Sequence, residues 1–250
     1  MVGVCLVLVI AIAAAYLLAG AGMGMTAMQM SVPMQHMGAV TYLPWTAERT
    51  LTMFLMWWVM MIAMMLPSAA PTILLAAALN RRSQARTPPY GKTATFTLGY
   101  LLAWALFSMI AVALQHWLEQ SGRLSMHLES VSDAVTGTLL LIAGLWQFSP
   151  LKQACLRHCR SPADFLVAHR RPGSAGALVM GMHHGSYCLG CCWFLMGLLF
   201  VGGVMNIYWI VGLASFVFME KVVVAGNWFS RLAGIGLSIA GILKLTDLIW

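Results

Sequence analysis

Residues 175–202 read AGALVMGMHHGSYCLGCCWFLMGLLFVG. The segment holds no Asp, Glu, Lys or Arg, and it exceeds the roughly 20 apolar residues that carry a helix across a bilayer. It reads as a membrane helix with an unusual interior. The run His183-His184-Gly185-Ser186-Tyr187-Cys188-Leu189-Gly190-Cys191-Cys192-Trp193 puts two imidazoles and three thiols among apolar neighbours. Such groups are costly in hydrocarbon unless paired. On a helix, Met180, Cys188 and Cys191 fall within about 40° of His184. Cys192 borders that stripe and His183 points away. Gly185 and Gly190 flank the cluster and let a second helix come close. Thiolate beside imidazole is a ligand set for copper, zinc or iron. Buried cysteine as a small hydrophobe is the plainer reading, but it leaves three thiols in five residues unexplained.

Six further apolar runs accompany this one, at roughly 2–22, 50–79, 94–117, 133–150, 204–225 and 229–249. Together they predict an all-α fold: a polytopic transmembrane helix bundle of about seven spans. Composition agrees, with 61% hydrophobic and 8% charged residues, against about a quarter charged in soluble domains. The chain reads as one bundle over residues 1–250. Residues 2–22 lack a basic leader region and have spanning length, so they read as a retained helix. Pro67 and Pro71 predict a kink near Leu66 in the second span. No internal repeat is visible.

Net charge is +7, but in such a chain basic clusters report orientation before they report a nucleic-acid partner, and none is expected. Arg81, Arg82, Arg86 and Lys92 lie in a basic loop at 80–93. Lys152, Arg157, Arg160, Arg170 and Arg171 lie in another at 151–174. The positive-inside rule places both loops in the cytoplasm, with the N-terminus inside and the C-terminus outside. The loop at 23–48 then faces outward.

That outer loop is rich in methionine. Met23, Met25, Met28, Met30, Met34 and Met37 surround His36, and thioethers select Cu(I). Met34, His36 and Met37 are its candidate ligands. The second span adds Met53, Met56, Met60, Met61, Met64 and Met65, which read first as adaptable core filler. In the inner loop, Cys155-Leu156-Arg157-His158-Cys159 would place two thiols one turn apart if helical. A joint site of Cys155, Cys159, His184 and Cys188 is open on spacing alone. Glu220-Lys221, near the inner end of the sixth span, is either an intramembrane functional pair or an interface marker. His116 and His127 flank the third span without partner spacing.

Several stretches carry a family resemblance. They are Met56-Trp57-Trp58-Val59-Met60-Met61-Ile62-Ala63-Met64-Met65-Leu66-Pro67-Ser68, Ser149-Pro150-Leu151-Lys152, and Cys155-Leu156-Arg157-His158-Cys159-Arg160-Ser161-Pro162. His184-Gly185, Cys188-Leu189-Gly190-Cys191-Cys192-Trp193, Gly203-Val204-Met205-Asn206 and Glu220-Lys221 complete them. From about Met53 to Lys221 the chain resembles a bacterial family of predicted metal-binding integral membrane proteins, a domain of unknown function. The resemblance implies a multi-pass bacterial inner-membrane protein with metal ligands at Cys155, Cys159, His184, Cys188, Cys191 and Cys192. His183 falls outside the matched part. The resemblance supplies no reaction.

Ligand chemistry therefore sets the expectation: a metal-binding membrane protein with copper ahead of zinc or iron, engaged in binding, transfer or transport. Its partners would be the lipid bilayer and a periplasmic metal carrier or other membrane subunits. Two alternatives stay open. One is a membrane redox enzyme cycling Cys188 and Cys191, in which Cys192 would be an awkward third thiol. The other is a structural subunit of a larger membrane complex.

Overall fold

Helices are the regular elements among residues 1–23, 26–31, 44–83, 90–124, 129–130, 132–223 and 227–246, which the computed structural model describes; one isolated bridge joins Leu124 and Ser130. The N-terminal helix α1 (Val2–Leu18) stops where Gly20, Ala21 and Gly22 take positive φ. A short α2 (Ala27–Met30) carries a capping box in which Thr26 and Gln29 satisfy each other's backbone donors. Helix α3 (Ala47–Ser83) runs unbroken through Pro67 and Pro71, so the longest apolar run extends as one element instead of dividing. Helix α4 (Tyr90–Gln120) returns beside it.

The chain then turns sharply. Helix α5 (Asp133–Phe148) and α6 (Pro150–Arg160) meet at a 66° bend. Pro150 explains it: a residue before proline is pushed out of the α region, and Ser149 is extended at φ −61°, ψ 131°. The Ser149 hydroxyl accepts the Leu151 N–H, so one residue both ends α5 and caps α6. After α7 (Pro162–Ala168) come α8 (Gly173–Gly197), α9 (Leu199–Gly202) and α10 (Ile207–Phe218). A π-helical turn (Met219–Val223) and α11 (Trp228–Thr246) complete the order.

The expectation of about seven spans is overturned. Among the described residues four helices are long and apolar enough to cross a membrane: Ala47–Arg81, Gly91–Gln120, Gly173–Gly202 and Trp228–Thr246. The bent pair α5–α6 makes a fifth if counted as one span. Residues 2–22 give only a 17-residue helix, and residues 204–225 give 12 residues of α-helix before the π turn. A hydropathy window records apolarity, and apolarity alone cannot separate a spanning helix from a shorter one. The segment 151–174, read as a loop, is largely α6 and α7. Long apolar helices with exposed Ile235, Ile239 and Leu243 on α11 are consistent with a membrane-embedded protein.

Two close crossings organise the packing. Helix α4 lies along α8, and a Cβ built on Gly181 would overlap the Phe96 carbonyl. Helix α5 lies along α11 in the same manner, where a Cβ at Gly241 would stand 2.6 Å from the Leu141 nitrogen. Small residues at such crossings let backbones touch without cavities. Helix α3 fills the space beside α4 with Met53, Met56, Met60, Met61, Met64 and Met65, all buried. At the other end of α4, Glu119 accepts from Arg49 and from the Trp45 indole, each at 2.9 Å, and ties α3 to α4.

Candidate metal centre

Helix α8 presents His184, Cys188, Cys191 and Cys192 to the interior, with exposures of 2%, 1%, 0% and 0%. The i, i+4, i+7 spacing places them on the buried face; His183 is exposed. Helix α6 crosses this face at Gly190, where a Cβ would stand 2.6 Å from Cys155 Sγ. Cys155 is buried there, and Cys159, one turn further along α6, lies within electrostatic reach of Cys191. The two cysteine clusters therefore adjoin. All six cysteines of the chain are free thiols, Cys5 alone on an exposed surface of α1.

Three other elements close around the thiols. Lys221 Nζ, from the π turn, donates to Cys188 Sγ at 2.9 Å and lies within electrostatic reach of Cys159, Cys191 and Cys192. Tyr100 of α4 brings its hydroxyl to 3.1 Å from the same sulfur and 3.2 Å from the Met65 carbonyl. Met65 Sδ of α3 stands 3.9 Å from Cys192 Sγ. His184 sits above this group inside an aromatic cage of Phe96, Tyr100 and Phe165, with ring centroids 6.0, 5.7 and 5.1 Å away. Its Nδ1 is buried without a hydrogen-bond partner among the described residues. An unpaired buried nitrogen is costly, and a bound ligand is one way to satisfy it.

Beside the sulfur group is a second polar layer. Lys152 Nζ pairs with Glu220 Oε1 at 2.7 Å, both side chains fully buried, and also donates to Gln147. Ser230 donates to the same Glu220 oxygen, and Arg160 Nε donates to the Glu220 carbonyl at 2.9 Å. Glu220 is thus neutralised by Lys152. Lys221 forms no salt bridge to a carboxylate among the described residues, and sulfur faces its ammonium instead. A π turn, common at functional sites, delivers these two adjacent charges to separate partners.

As they stand, no three or more His, Cys, Asp or Glu side chains among the described residues are arranged to hold a metal ion. Cys191 and Cys192 both donate back to the Cys188 carbonyl, at 3.0 and 2.9 Å, so their thiol hydrogens are satisfied within α8. Binding a metal would require those thiols to lose their protons and give up these bonds.

Met34, His36 and Met37 lie outside the described residues, as does His127. His116 packs edge-on to Trp45 at 4.6 Å, away from the sulfur centre. Sequence reading missed three participants. Lys152 was counted as a loop charge, Met65 as filler, and Tyr100 gave no signal, being one aromatic in an apolar helix.

A family model described as "PpoB2: Copper chaperone" matches residues 54–244. No curated protein matches the chain, and no solved structure does. The family match supports a copper-related, metal-binding protein.

Proposed function

The chain belongs to the PpoB2 copper-chaperone family, and on that premise we propose that it binds Cu(I) inside the membrane and passes it to an acceptor protein. The ion would be held by thiolates drawn from Cys188, Cys191, Cys192 and Cys159, with Met65 and His184 adjoining. Copper here is cargo, not a resident cofactor. The observation that carries this reading is that thiols from two helices adjoin around Lys221, whose buried charge has no carboxylate partner among the described residues.

Charge selects the ion. Two thiolates, one Lys221 ammonium and one Cu(I) sum to zero, whereas a divalent ion would leave a net positive charge in a medium that tolerates none. Soft sulfur ligands favour Cu(I), and they can exchange it by adding an incoming thiolate before losing an old one. The outer Met/His segment with Met34, His36 and Met37 is proposed as the capture site, supplied by a periplasmic metal carrier, in a bacterial inner membrane.

The test is elemental analysis of protein purified under reducing conditions. Wild type is expected to carry copper in place of zinc or iron, and the C188S/C191S/C192S variant to lose its sulfur-ligated copper. Metal-free wild type with inert thiols, or zinc at full occupancy, would overturn the reading.

A further inference from the structure

Between α6 and the end of α7, the His158 and His169 rings meet edge-on, with centroids 6.2 Å apart and planes at 69°. His158 Nδ1 lies 2.9 Å from the Ala154 carbonyl, and His169 Nδ1 lies 3.1 Å from that of Phe165. A carbonyl can only accept, so each Nδ1 carries the hydrogen and the neutral ring keeps its lone pair on Nε2. Metal-binding histidines are held in this way, with the far nitrogen tied to a carbonyl. Both rings are clamped as well. His158 stacks on Tyr187 at 4.2 Å and 5°, and His169 stacks on Phe165 at 4.7 Å and 24°. Between them opens a cavity of about 240 Å³, lined also by Ser161 and Asp164. Ser161 and Asp164 are exposed, so the cavity meets solvent.

We propose that His158 and His169 form a second, solvent-facing Cu(I) site, a two-imidazole transfer port for the buried sulfur centre. The metal–nitrogen bond to imidazole is about 2.0 Å, and a ring nitrogen lies about 1.1 Å from its centroid by ring geometry. Two imidazoles sharing one ion nearly in line then have centroids roughly 6 Å apart, and the observed 6.2 Å matches. Zinc asks for four ligands in a structural site, while Cu(I) is content with two in line; no three-ligand group is present among the described residues. Position makes the pair a port. His158 precedes Cys159, and Phe165, which stacks on His169, also packs on His184 at 5.1 Å. His183 extends the rim, with its ring 5.9 Å from that of His169.

The identity of the ion rests on the copper-chaperone reading; the site does not. Full-length protein in detergent is loaded with Cu(I) anaerobically against a chromophoric Cu(I) chelator and examined by X-ray absorption. In C188S/C191S/C192S, about one equivalent of copper with nitrogen ligands in near-linear geometry is expected to remain, and adding H158Q/H169Q should abolish it. In the otherwise wild-type chain, H158Q/H169Q should lower the ratio by about one copper and leave the sulfur-ligated signal. That second background stands if the triple variant fails to fold. Unchanged stoichiometry in H158Q/H169Q overturns the port. Nitrogen-ligated copper without any sulfur-ligated copper in the wild type would sink the buried centre and keep the port.

Discussion

Lys152 and Glu220 show how much a single side chain's meaning depends on its surroundings. Counted along the chain, Lys152 is one more positive charge in a basic segment. In the fold it is fully buried and paired at 2.7 Å with Glu220, 68 positions away. Removing one partner of a buried pair strands the other, at a cost of about 3–5 kcal/mol, while replacing both with apolar side chains is far milder. K152M is therefore expected to lower the thermal midpoint of the detergent-solubilised protein strongly, and K152M/E220M to recover most of the loss. Equal losses in the single and double variants would mean that the pair is not the determinant. The neighbouring Lys221 has a different task, because its ammonium faces Cys188. Spacing made His184, Cys188 and Cys191 legible as one face, because an i, i+4, i+7 pattern is a property of a single helix. Tyr100 and Met65 could not be read that way, since nothing local marks an aromatic or a methionine as the one that meets a thiol.

At the scale of elements, glycine decides which helices touch. Gly181 of α8 abuts the Phe96 backbone of α4, whereas Gly236 of α11 has nothing within 4 Å of its absent Cβ. Alanine at Gly181 is expected to force α4 and α8 apart and cost about 1–3 kcal/mol, as overpacking does. Alanine at Gly236 should be neutral or stabilise by up to about 1 kcal/mol through helix propensity. Thermal midpoints of the two variants measured side by side check this; similar values would show that the α4–α8 crossing tolerates a side chain. The crossing matters for function because Tyr100 and Phe96 reach Cys188 and His184 across it. Pro67 and Pro71 lie inside a continuous α3, while the 66° bend falls at Ser149-Pro150. A proline at the first position of a helix costs that helix nothing, so Pro150 starts α6 freely and sends it across α8.

For the whole molecule, the exposed basic residues set the orientation to be tested. Lys152 and Arg160 are engaged with Glu220, yet Arg157, Arg170 and Arg171 remain exposed, enough to keep the positive-inside argument for this face. Cysteine introduced at exposed Arg157 is expected to resist a membrane-impermeant maleimide in intact cells and to react in inverted vesicles. Labelling from outside would reverse the topology and move the His158–His169 port to the other side. The amino-acid sequence by itself determined that this chain is helical and strongly apolar, and that soft ligands stand on one face of one helix. Those are properties of period and composition, carried by neighbours along the chain. Tertiary structure decided that four or five helices among the described residues, not seven, have spanning length and apolarity. It also decided that the α6 and α8 cysteines adjoin, and that Lys221 meets sulfur while Lys152 meets Glu220. The physical reason is the same each time: a bend at one proline and close contacts at a few glycines set which helix faces meet, and pairings between distant residues exist only once those faces have met.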